Sequence, residues 1–294
     1  MQVRPRRSVL YMPGSNARAL EKAKSIVADA LILDLEDAVA PEAKEAARTQ
    51  VSAAVRAGGY GHREVVIRIN ALDTPWGEAD LAAAAQASPD AVLLPKPGKG
   101  ADIARATEAL ARAGAPGKTR LWAMIETPLA ILNVAEIAAA AQVPGARLAC
   151  FVLGTNDLVK ETRADLSENR RPALYWLSAA ITAARAYGLD VLDGVYNNFR
   201  DADGFRRECI HGRRLGFDGK TLIHPDQVAV ANEVFAPSDA EVAFARKIIA
   251  AFALPESKGK GVLTVDGRMV ELLHAEMAVR TVAIAEAIER TKAS

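Results

Sequence analysis

The chain has 294 residues, 50% of them hydrophobic and 25% charged, which suits one large α/β barrel or two modest domains. Its formal net charge of +1 gives no electrostatic reason to bind nucleic acid or an anionic membrane. No apolar run approaches the roughly 18 residues of a membrane-spanning helix, and the basic stretch 1–7 does not resemble a signal peptide. The widely separated Cys150 and Cys209 predict buried, reduced thiols and a cytoplasmic protein.

Eight short apolar runs alternate with longer, alanine-rich helical stretches along the chain. The predicted strands are residues 9–12, 31–35, 64–70, 91–94, 121–125, 148–153, 189–192 and 219–223. The first helix is predicted over 16–28, and Pro41, Pro75 and Pro128 stand where later helices begin, a position that favours proline. Eight strand–helix units in order predict a (β/α)8 TIM barrel over residues 1–236. An open doubly wound sheet is the alternative, but no Gly-x-Gly-x-x-Gly motif follows the first strand.

The pattern changes after residue 236. Ser238 is placed to cap a helix that runs to about residue 252, and a polar loop over 255–261 follows. A final helix is predicted over about 269–288. Residues 237–294 are therefore expected to form a C-terminal helical extension that serves as a lid or an oligomer contact.

Charged or hydrogen-bonding residues end nearly every predicted strand. These residues are Asp34, Glu36, Asp37, Arg68, Asn70, Lys96, Glu126, Asn156, Asp157, Asp193 and His224. Barrel enzymes place their chemistry at the carboxyl ends of the strands, so these side chains are expected to converge. Magnesium takes few protein carboxylates and keeps several waters. Glu126 and Asp157 are the predicted ligands, and Glu36 and Asp37 are predicted to hold metal-bound waters.

Several of these residues have simpler interpretations. Asp157 and Asp193 could cap the helices that follow them. Arg68 lies inside an apolar alternation, where an internal salt bridge would also stabilise its charge. The loop from Lys96 to Gly100 is interpreted as the ordinary start of a helix rather than a phosphate-binding turn, and His224 as a structural residue.

Seven segments, in this order, resemble one known family. They are Arg7-Ser8-x-Leu10-x-x-Pro13-Gly14, Leu33-Asp34-Leu35-Glu36-Asp37-Ala38-Val39-Ala40-Pro41, Arg68-Ile69-Asn70, Leu94-Pro95-Lys96, Ile125-Glu126-Thr127, Gly154-Thr155-Asn156-Asp157-Leu158 and Gly219-Lys220-x-x-Ile223-His224-Pro225. Over essentially the whole chain the sequence resembles the citrate lyase β-subunit-like group, with malyl-CoA and citramalyl-CoA lyases, in the HpcH/HpaI aldolase-like superfamily. The resemblance implies a magnesium-dependent TIM barrel, trimeric or hexameric, that acts on thioesters of coenzyme A or acyl-carrier protein.

The resemblance also implies roles for individual residues. Glu126 and Asp157 match the metal ligands, with Glu36 and Asp37 around the metal waters, and Arg68 matches the arginine that contacts the 2-oxo acid and the thioester carbonyl. The backbone N–H groups around Gly154, Thr155 and Asn156 match the site of the oxo-acid carboxylate. Tyr11 and Lys22 lie where malyl-CoA lyases contact coenzyme A.

The resemblance departs from the family at the predicted lid. The lyases carry a catalytic aspartate there, which acts in a neighbouring subunit, whereas this chain has Glu271 at that place. The expected reaction is the reversible Claisen-type cleavage of a 3-hydroxyacyl thioester to an acyl-CoA and a 2-oxo acid. Thioester hydrolysis, which a changed lid acid could favour, remains an alternative, as do a class II aldolase and a non-catalytic subunit of a larger lyase complex.

Overall fold

The computed structural model describes residues 3–292, which form two compact units. The first unit is Arg6–Asn232, and the second comprises residues 3–5 and 233–292. The sequence placed the boundary at residue 236. Among residues 3–292, none of the helices combines the length and the apolar character needed to span a membrane.

The first unit is a closed barrel of eight parallel strands that neighbour one another in chain order. The strands are β1 (Ser8–Pro13), β2 (Ala30–Asp34), β3 (Glu64–Arg68), β4 (Ala91–Leu94), β5 (Arg120–Ile125), β6 (Leu148–Leu153), β7 (Asp190–Asp193) and β8 (Gly219–Leu222). The predicted TIM barrel is confirmed. β3 ends at Arg68, two residues earlier than predicted.

Helices follow the strands as expected. They are α1 (Ala17–Ala23), α2 (Lys44–Ala57), α3 (Gly77–Ala87), α4 (Gly100–Arg112), α5 (Pro128–Leu132), α6 (Val134–Ala139), α7 (Thr155–Thr162), α8 (Leu174–Ala186), α9 (Ala202–Leu215) and α10 (Gln227–Phe235). The prediction that the first helix runs to residue 28 was wrong. The chain must extend before β2, where Asp29 accepts hydrogen bonds from the backbone and side chain of Arg7 and donates its N–H to Ser8.

The barrel interior is apolar, and its amino end is closed by ion pairs. Val9, Ile32, Val66 and Trp122 belong to a fully buried cluster inside the barrel. Arg6 stacks over the Trp122 ring, 5.1 Å from its centroid, and pairs with Glu64 at 2.7 Å. These contacts fill the amino end of the barrel. A functional site is therefore expected at the carboxyl end. Cys150 and Cys209 are buried and free, as predicted.

The second unit contains two predicted helices and a β-hairpin that was not predicted. Helix α11 (Asp239–Ala253) begins with Ser238 in a capping box, as predicted. Strands β9 (Val262–Val265) and β10 (Arg268–Glu271) pair antiparallel, and only then does α12 (Leu272–Lys292) begin. The final helix therefore does not start at residue 269. Asp266 and Gly267 both have positive φ angles, of 50° and 74°, which is the turn geometry that Asp-Gly favours between paired strands.

Candidate active site

Asp34 and Arg68 end two neighbouring strands and bind each other at the carboxyl end of the barrel. The Arg68 guanidinium donates two hydrogen bonds to the Asp34 carboxylate, both 2.6 Å long, and both side chains are buried. Asp34 also accepts the N–H groups of Glu36 and Ala38 at 2.9 and 3.0 Å. Asp34 thus fixes Arg68 and the loop after β2. The salt-bridge interpretation of Arg68 is confirmed, at the barrel mouth.

Glu36 lies at the centre of the charged groups around this pair. Its Oε2 is 2.9 Å from Arg68 Nη1, in a geometry that makes an ion pair without a hydrogen bond. Its Oε1 accepts a 2.7 Å hydrogen bond from Lys96 Nζ. Asp37, whose side chain is more exposed, lies 3.1 Å from the same Arg68 nitrogen. Burial raises the pKa of Glu36 above its ordinary value, although Arg68 and Lys96 oppose this rise.

Lys96 connects the β2 loop to Glu126, the residue that follows β5. Its backbone N–H donates to Glu126 Oε1 at 3.0 Å, and its Nζ lies 3.6 Å from the same oxygen. Lys96 has a left-handed backbone, with φ of 51°, which is unusual for a lysine and typical of functional sites. The loop does lead into α4, as predicted. Lys96 was also among the strand-end residues expected to converge, but the sequence assigned it no role, and its contacts with Glu36 and Glu126 appear only in the structure.

Glu126 is fully buried, and only one of its two carboxylate oxygens has a hydrogen-bond partner among the described residues. One carboxylate oxygen accepts from Lys96, while Oε2 has no hydrogen-bond partner in the part of the chain that the structure describes. Burial, and next the charge of Glu36, raise the pKa of Glu126 to about 8. A Cβ at Gly154 would lie 2.4 Å from the Glu126 Cβ and 2.7 Å from Oε2, so only glycine allows this approach.

Asp157 lies in the first turn of α7, which starts beside Glu126. Its negative charge raises the pKa values of both Glu126 and Lys96, so it belongs to the same electrostatic site. The first N–H groups of a helix have no acceptor within the helix and attract anions. The Gly154 N–H already donates to Ile125 O at 3.0 Å, which leaves the N–H groups of residues 155–157 for that purpose. Gly154, not Asp157, is the N-cap residue, so the capping interpretation of Asp157 was wrong.

Three further predicted site residues, Tyr11, Lys22 and Glu271, lie in three different parts of the chain. Tyr11 packs inside the barrel, where the Arg68 guanidinium carbon lies 5.0 Å from its ring centroid. Lys22 is exposed in the last turn of α1, the end of that helix farther from the carboxyl end of β1. Glu271 ends β10 in the second unit, where its N–H donates to His274 Nδ1 at 2.9 Å. The roles of these three residues remain predictions.

We call the charged groups at the carboxyl ends of β2 to β6 the acid cluster. Its members are Asp34, Glu36, Asp37, Glu126, Asp157, Arg68 and Lys96. Five carboxylates surround two cationic side chains, so the cluster carries a negative excess that a cation would neutralise.

The acid cluster fits magnesium. Among residues 3–292, no group of three or more His, Cys, Asp and Glu side chains is placed to hold a metal ion. Magnesium retains several waters and needs few carboxylate ligands, so a site with only two of them, such as the predicted pair Glu126 and Asp157, is compatible with it. The Glu126 oxygen without a partner and the close approach of Gly154 provide the observations that support this fit.

Asp193 takes part in a separate buried network that joins β7 and β8, which we call the β7–β8 network. Arg170 donates to both Asp193 carboxylate oxygens at 2.7 and 2.8 Å, and Lys220 Nζ donates to Oδ2 at 3.1 Å. Lys220 Nζ also donates to Glu208 Oε1 at 2.7 Å and to the Gly194 carbonyl. Burial disfavours the charge of Asp193, yet Lys220 and Arg170 hold its pKa below its ordinary value. The capping interpretation of Asp193 was also wrong, because Asp201 caps α9.

The fold and the cluster together define a TIM-barrel protein with an oxygen-rich, acidic site at the carboxyl ends of its strands. Residues 7–225 match the model of the HpcH/HpaI aldolase/citrate lyase family, and the chain belongs to that family.

Relatives of this chain include proteins with two different names. It is 50% identical over 293 residues to a protein named (3S)-malyl-CoA thioesterase from Cereibacter sphaeroides strain KD131, covering 100% of this chain and 99% of that one. It is 36% identical over 275 residues to the citrate lyase subunit beta of Escherichia coli K12, covering 92% of this chain and 90% of that one. Both likenesses extend beyond the barrel into the C-terminal unit.

Solved structures show the same fold with ligands. CitE from Mycobacterium tuberculosis, in complex with magnesium, acetoacetate and coenzyme A, has a TM-score of 0.73 and 30% identity, covering 95% of this chain and 97% of that one. A CitE complex with magnesium and pyruvate has a TM-score of 0.66 at 30% identity, covering 80% of this chain and 91% of that one. Binding of magnesium and of CoA compounds thus occurs within this structural group.

Proposed function

We propose that this chain is a magnesium-dependent enzyme that hydrolyses the thioester of a 3-hydroxyacyl-CoA with a terminal carboxylate, such as malyl-CoA. The observation that carries the choice of reaction is the 50% identity, over the full length of both chains, with relatives named (3S)-malyl-CoA thioesterase. The presence of Glu271 where the lyases are expected to carry an aspartate points in the same direction.

The acid cluster supports the magnesium requirement. Glu126 and Asp157 are the proposed ligands, and the neighbouring Glu36 and Asp37 would accept hydrogen bonds from metal-bound waters. Bound magnesium would supply Lewis-acid stabilisation to the hydroxyl and carboxylate oxygens of the substrate. The N–H groups of residues 155–157 would orient the same carboxylate at the start of α7.

Arg68 is the proposed group that polarises the thioester carbonyl. Its guanidinium is held rigidly by Asp34, so little reorganisation is needed when negative charge develops on the carbonyl oxygen. A water oxygen attacks the carbonyl carbon and the C–S bond breaks, giving the free acid and CoA after the thiolate takes up a proton. Glu271 is the proposed acceptor of the water proton.

C–C cleavage is the second candidate, because the citrate lyase β subunits are also related along most of the chain. The same residues could serve it. Arg68 would stabilise an enolate oxygen after the 3-hydroxyl loses its proton, and Glu271 would protonate the carbon. Both reactions therefore need the acid cluster, and only the products distinguish them.

The deciding experiment is product analysis by mass spectrometry with malyl-CoA as substrate, with and without a chelator. Hydrolysis gives malate and free CoA, whereas C–C cleavage gives acetyl-CoA and glyoxylate. We expect malate and CoA in a chelator-sensitive reaction. Acetyl-CoA with glyoxylate would establish the lyase instead, and no product in either form would favour an acyl-carrier substrate or an obligate partner chain.

We further propose a homo-oligomer, a trimer or hexamer, in which Glu271 of one subunit acts at the acid cluster of another. Mixing the inactive variants Glu271→Gln and Glu126→Gln, after dissociation and reassociation, tests this arrangement. Hybrid oligomers should regain activity if the two residues act across subunits. Failure to regain activity in hybrids verified by native mass spectrometry would place both residues in one chain.

A further inference from the structure

A cleft of about 480 Å³ opens beside the acid cluster, and the mechanism above does not use it. It lies between the loops that follow β2 and β3, with Lys96 on its border. Glu36, Asp37 and Lys96 line both the cleft and the acid cluster, so the two are continuous. This volume lies within the usual range of pockets for small molecules.

Trp76 is the largest apolar residue of the cleft. Val39, Pro41 and Ala71 add further apolar surface. Lys44 Nζ lies 5.2 Å from the Trp76 ring centroid and donates to the carbonyls of Leu35 and Glu36 at 3.0 and 2.9 Å. Lys44 therefore connects the indole to the loop that carries Glu36.

The loop that carries Trp76 is held closely against its own helix. A Cβ at Gly77 would lie 2.2 Å from the Ala71 carbonyl oxygen, so the backbone there can approach only because residue 77 is glycine. The Thr74 hydroxyl donates to the same carbonyl at 2.6 Å. These contacts preform the cleft before any ligand enters.

The charges of the cleft argue against an anionic occupant. Three carboxylates line it, those of Glu36, Asp37 and Asp73, against the two lysines. Lys96 is engaged by Glu36 at 2.7 Å, and Lys44 donates to two backbone carbonyls. Neither a CoA phosphate nor the terminal carboxylate of the substrate would find a compensating positive charge. An uncharged apolar group is not repelled by these carboxylates, and it gains contact with Trp76 when it lies against the apolar side of the cleft.

We propose that this cleft receives an alkyl branch on C2 of the acyl chain, and that Trp76 determines how well such a branch binds. The inference rests on the proposed function, in which Arg68 holds the thioester carbonyl, because C2 is bonded to that carbonyl carbon. Arg68 Nη1 lies 2.9 Å from Glu36, at the inner end of the cleft. The enzyme would thus act on branched acyl thioesters with branches longer than methyl.

The test is isothermal titration calorimetry with non-hydrolysable thioether analogues of the substrate that carry hydrogen, methyl, ethyl or butyl at C2, in the presence of magnesium. Each buried methylene should tighten binding by about fourfold, the equivalent of the usual transfer free energy of one methylene. Trp76→Ala should flatten this dependence of Kd on branch length, and Trp76→Phe should restore most of it. Tyr175→Ala, at an exposed aromatic residue of α8, is the matched control and should keep the wild-type dependence.

A Kd that is independent of branch length or rises with it would overturn the proposal, as would a dependence that Trp76→Ala leaves unchanged. Thermal unfolding of each variant identifies any loss of the fold, and Trp76→Phe supplies the comparison if Trp76→Ala does not fold. Hydrolysis of malyl-CoA is measured in parallel. If malyl-CoA is hydrolysed but Kd does not change with branch length, only the branch site is refuted. If affinity rises with branch length but malyl-CoA is not hydrolysed, the cleft is supported and the proposed reaction is refuted.

Discussion

The acid cluster and the β7–β8 network are both largely buried groups of charges, but they differ in the balance between carboxylates and cations. In the β7–β8 network, Asp193 and Glu208 face Arg170 and Lys220, and each carboxylate accepts from a cation. In the acid cluster, five carboxylates share two cations, and Glu126 Oε2 has no hydrogen-bond partner in the described part of the chain. One group compensates its charges internally, and the other leaves a negative excess.

The pKa shifts follow this difference. Burial disfavours the charges of both Glu126 and Asp193, but Lys220 and Arg170 hold the pKa of Asp193 below its ordinary value. Burial and the charge of Glu36 raise the pKa of Glu126 to about 8. A balanced network stabilises the fold and needs no ligand, whereas an unbalanced one favours a bound cation. The net charge that a buried group leaves uncompensated therefore says more about ligand binding than the fact that its charges are buried.

The largest expected contrast comes from replacing Glu126. Glu126→Gln should lower magnesium-dependent turnover by about 10³-fold, since metal stabilisation of the reaction contributes several kcal/mol. The magnesium-free variant should be as stable as the wild type at pH 8 or more so, because a poorly compensated charge is removed. Turnover and urea unfolding measure the two effects. Glu108→Gln, on the exposed face of α4, is the control, and full activity of Glu126→Gln would refute the ligand assignment.

Replacing Asp193 should lower stability but leave magnesium binding nearly unchanged, the opposite of the effect expected at Glu126. Asp193→Asn leaves Lys220 and Arg170 without their shared counter-ion, and breaking a buried pair of this kind costs about 3–5 kcal/mol of unfolding free energy. Magnesium affinity of the folded fraction should remain near that of the wild type. Urea unfolding tests this expectation, with Asp165→Asn at the surface as the control. A loss below 1 kcal/mol would show that the network does not stabilise the fold.

A smaller effect is expected from crowding Glu126 without changing its charge. Gly154→Ala places a methyl group 2.4 Å from the Glu126 Cβ and 2.7 Å from its Oε2, so the whole Glu126 side chain must shift. Magnesium affinity should fall by about 10–100-fold, as for other changes that reorient a metal ligand. Gly117→Ala is the matched control, because nothing lies within 4 Å of its Cβ position. Calorimetric titration with magnesium would contradict the expectation if both variants bound equally.

The two regions should also respond oppositely to pH. Glu126 has a folded pKa of about 8, above the value near 4.3 of an unfolded glutamate, so magnesium-free stability should fall as pH rises from about 4 to 8. Magnesium should therefore raise the thermal midpoint more at pH 8 than at pH 6.

Asp193 behaves in the opposite sense, because its folded pKa is lowered. Its stabilising contribution is present above the unfolded value near 3.9 and is lost as pH falls through the folded pKa. Thermal midpoints of wild type, Glu126→Gln and Asp193→Asn between pH 3 and 9 separate the two. An equal magnesium effect at pH 6 and 8 would contradict the pKa assignment for Glu126.

The amino-acid sequence by itself determined the order of the elements and the residues that end each strand. Apolar runs of four to six residues followed by proline or acids specify strand–helix units, because side-chain period and turn chemistry act over only a few residues. The motifs around Asp34, Glu126 and Gly154 were sufficient to indicate the family that the comparison then showed. The Asp266-Gly267 turn was also readable, but the apolar residues around it were assigned to a helix.

Only the tertiary structure decided which charges compensate one another. Asp157 and Asp193 look alike in sequence, since each follows an apolar strand, yet one joins the acid cluster and the other is neutralised by Arg170 and Lys220. Lys96 reaches Glu36 across 60 residues of chain, and Arg68 reaches Asp34 across 34. Electrostatic energy depends on distances between atoms brought together by folding, and no local pattern encodes those distances.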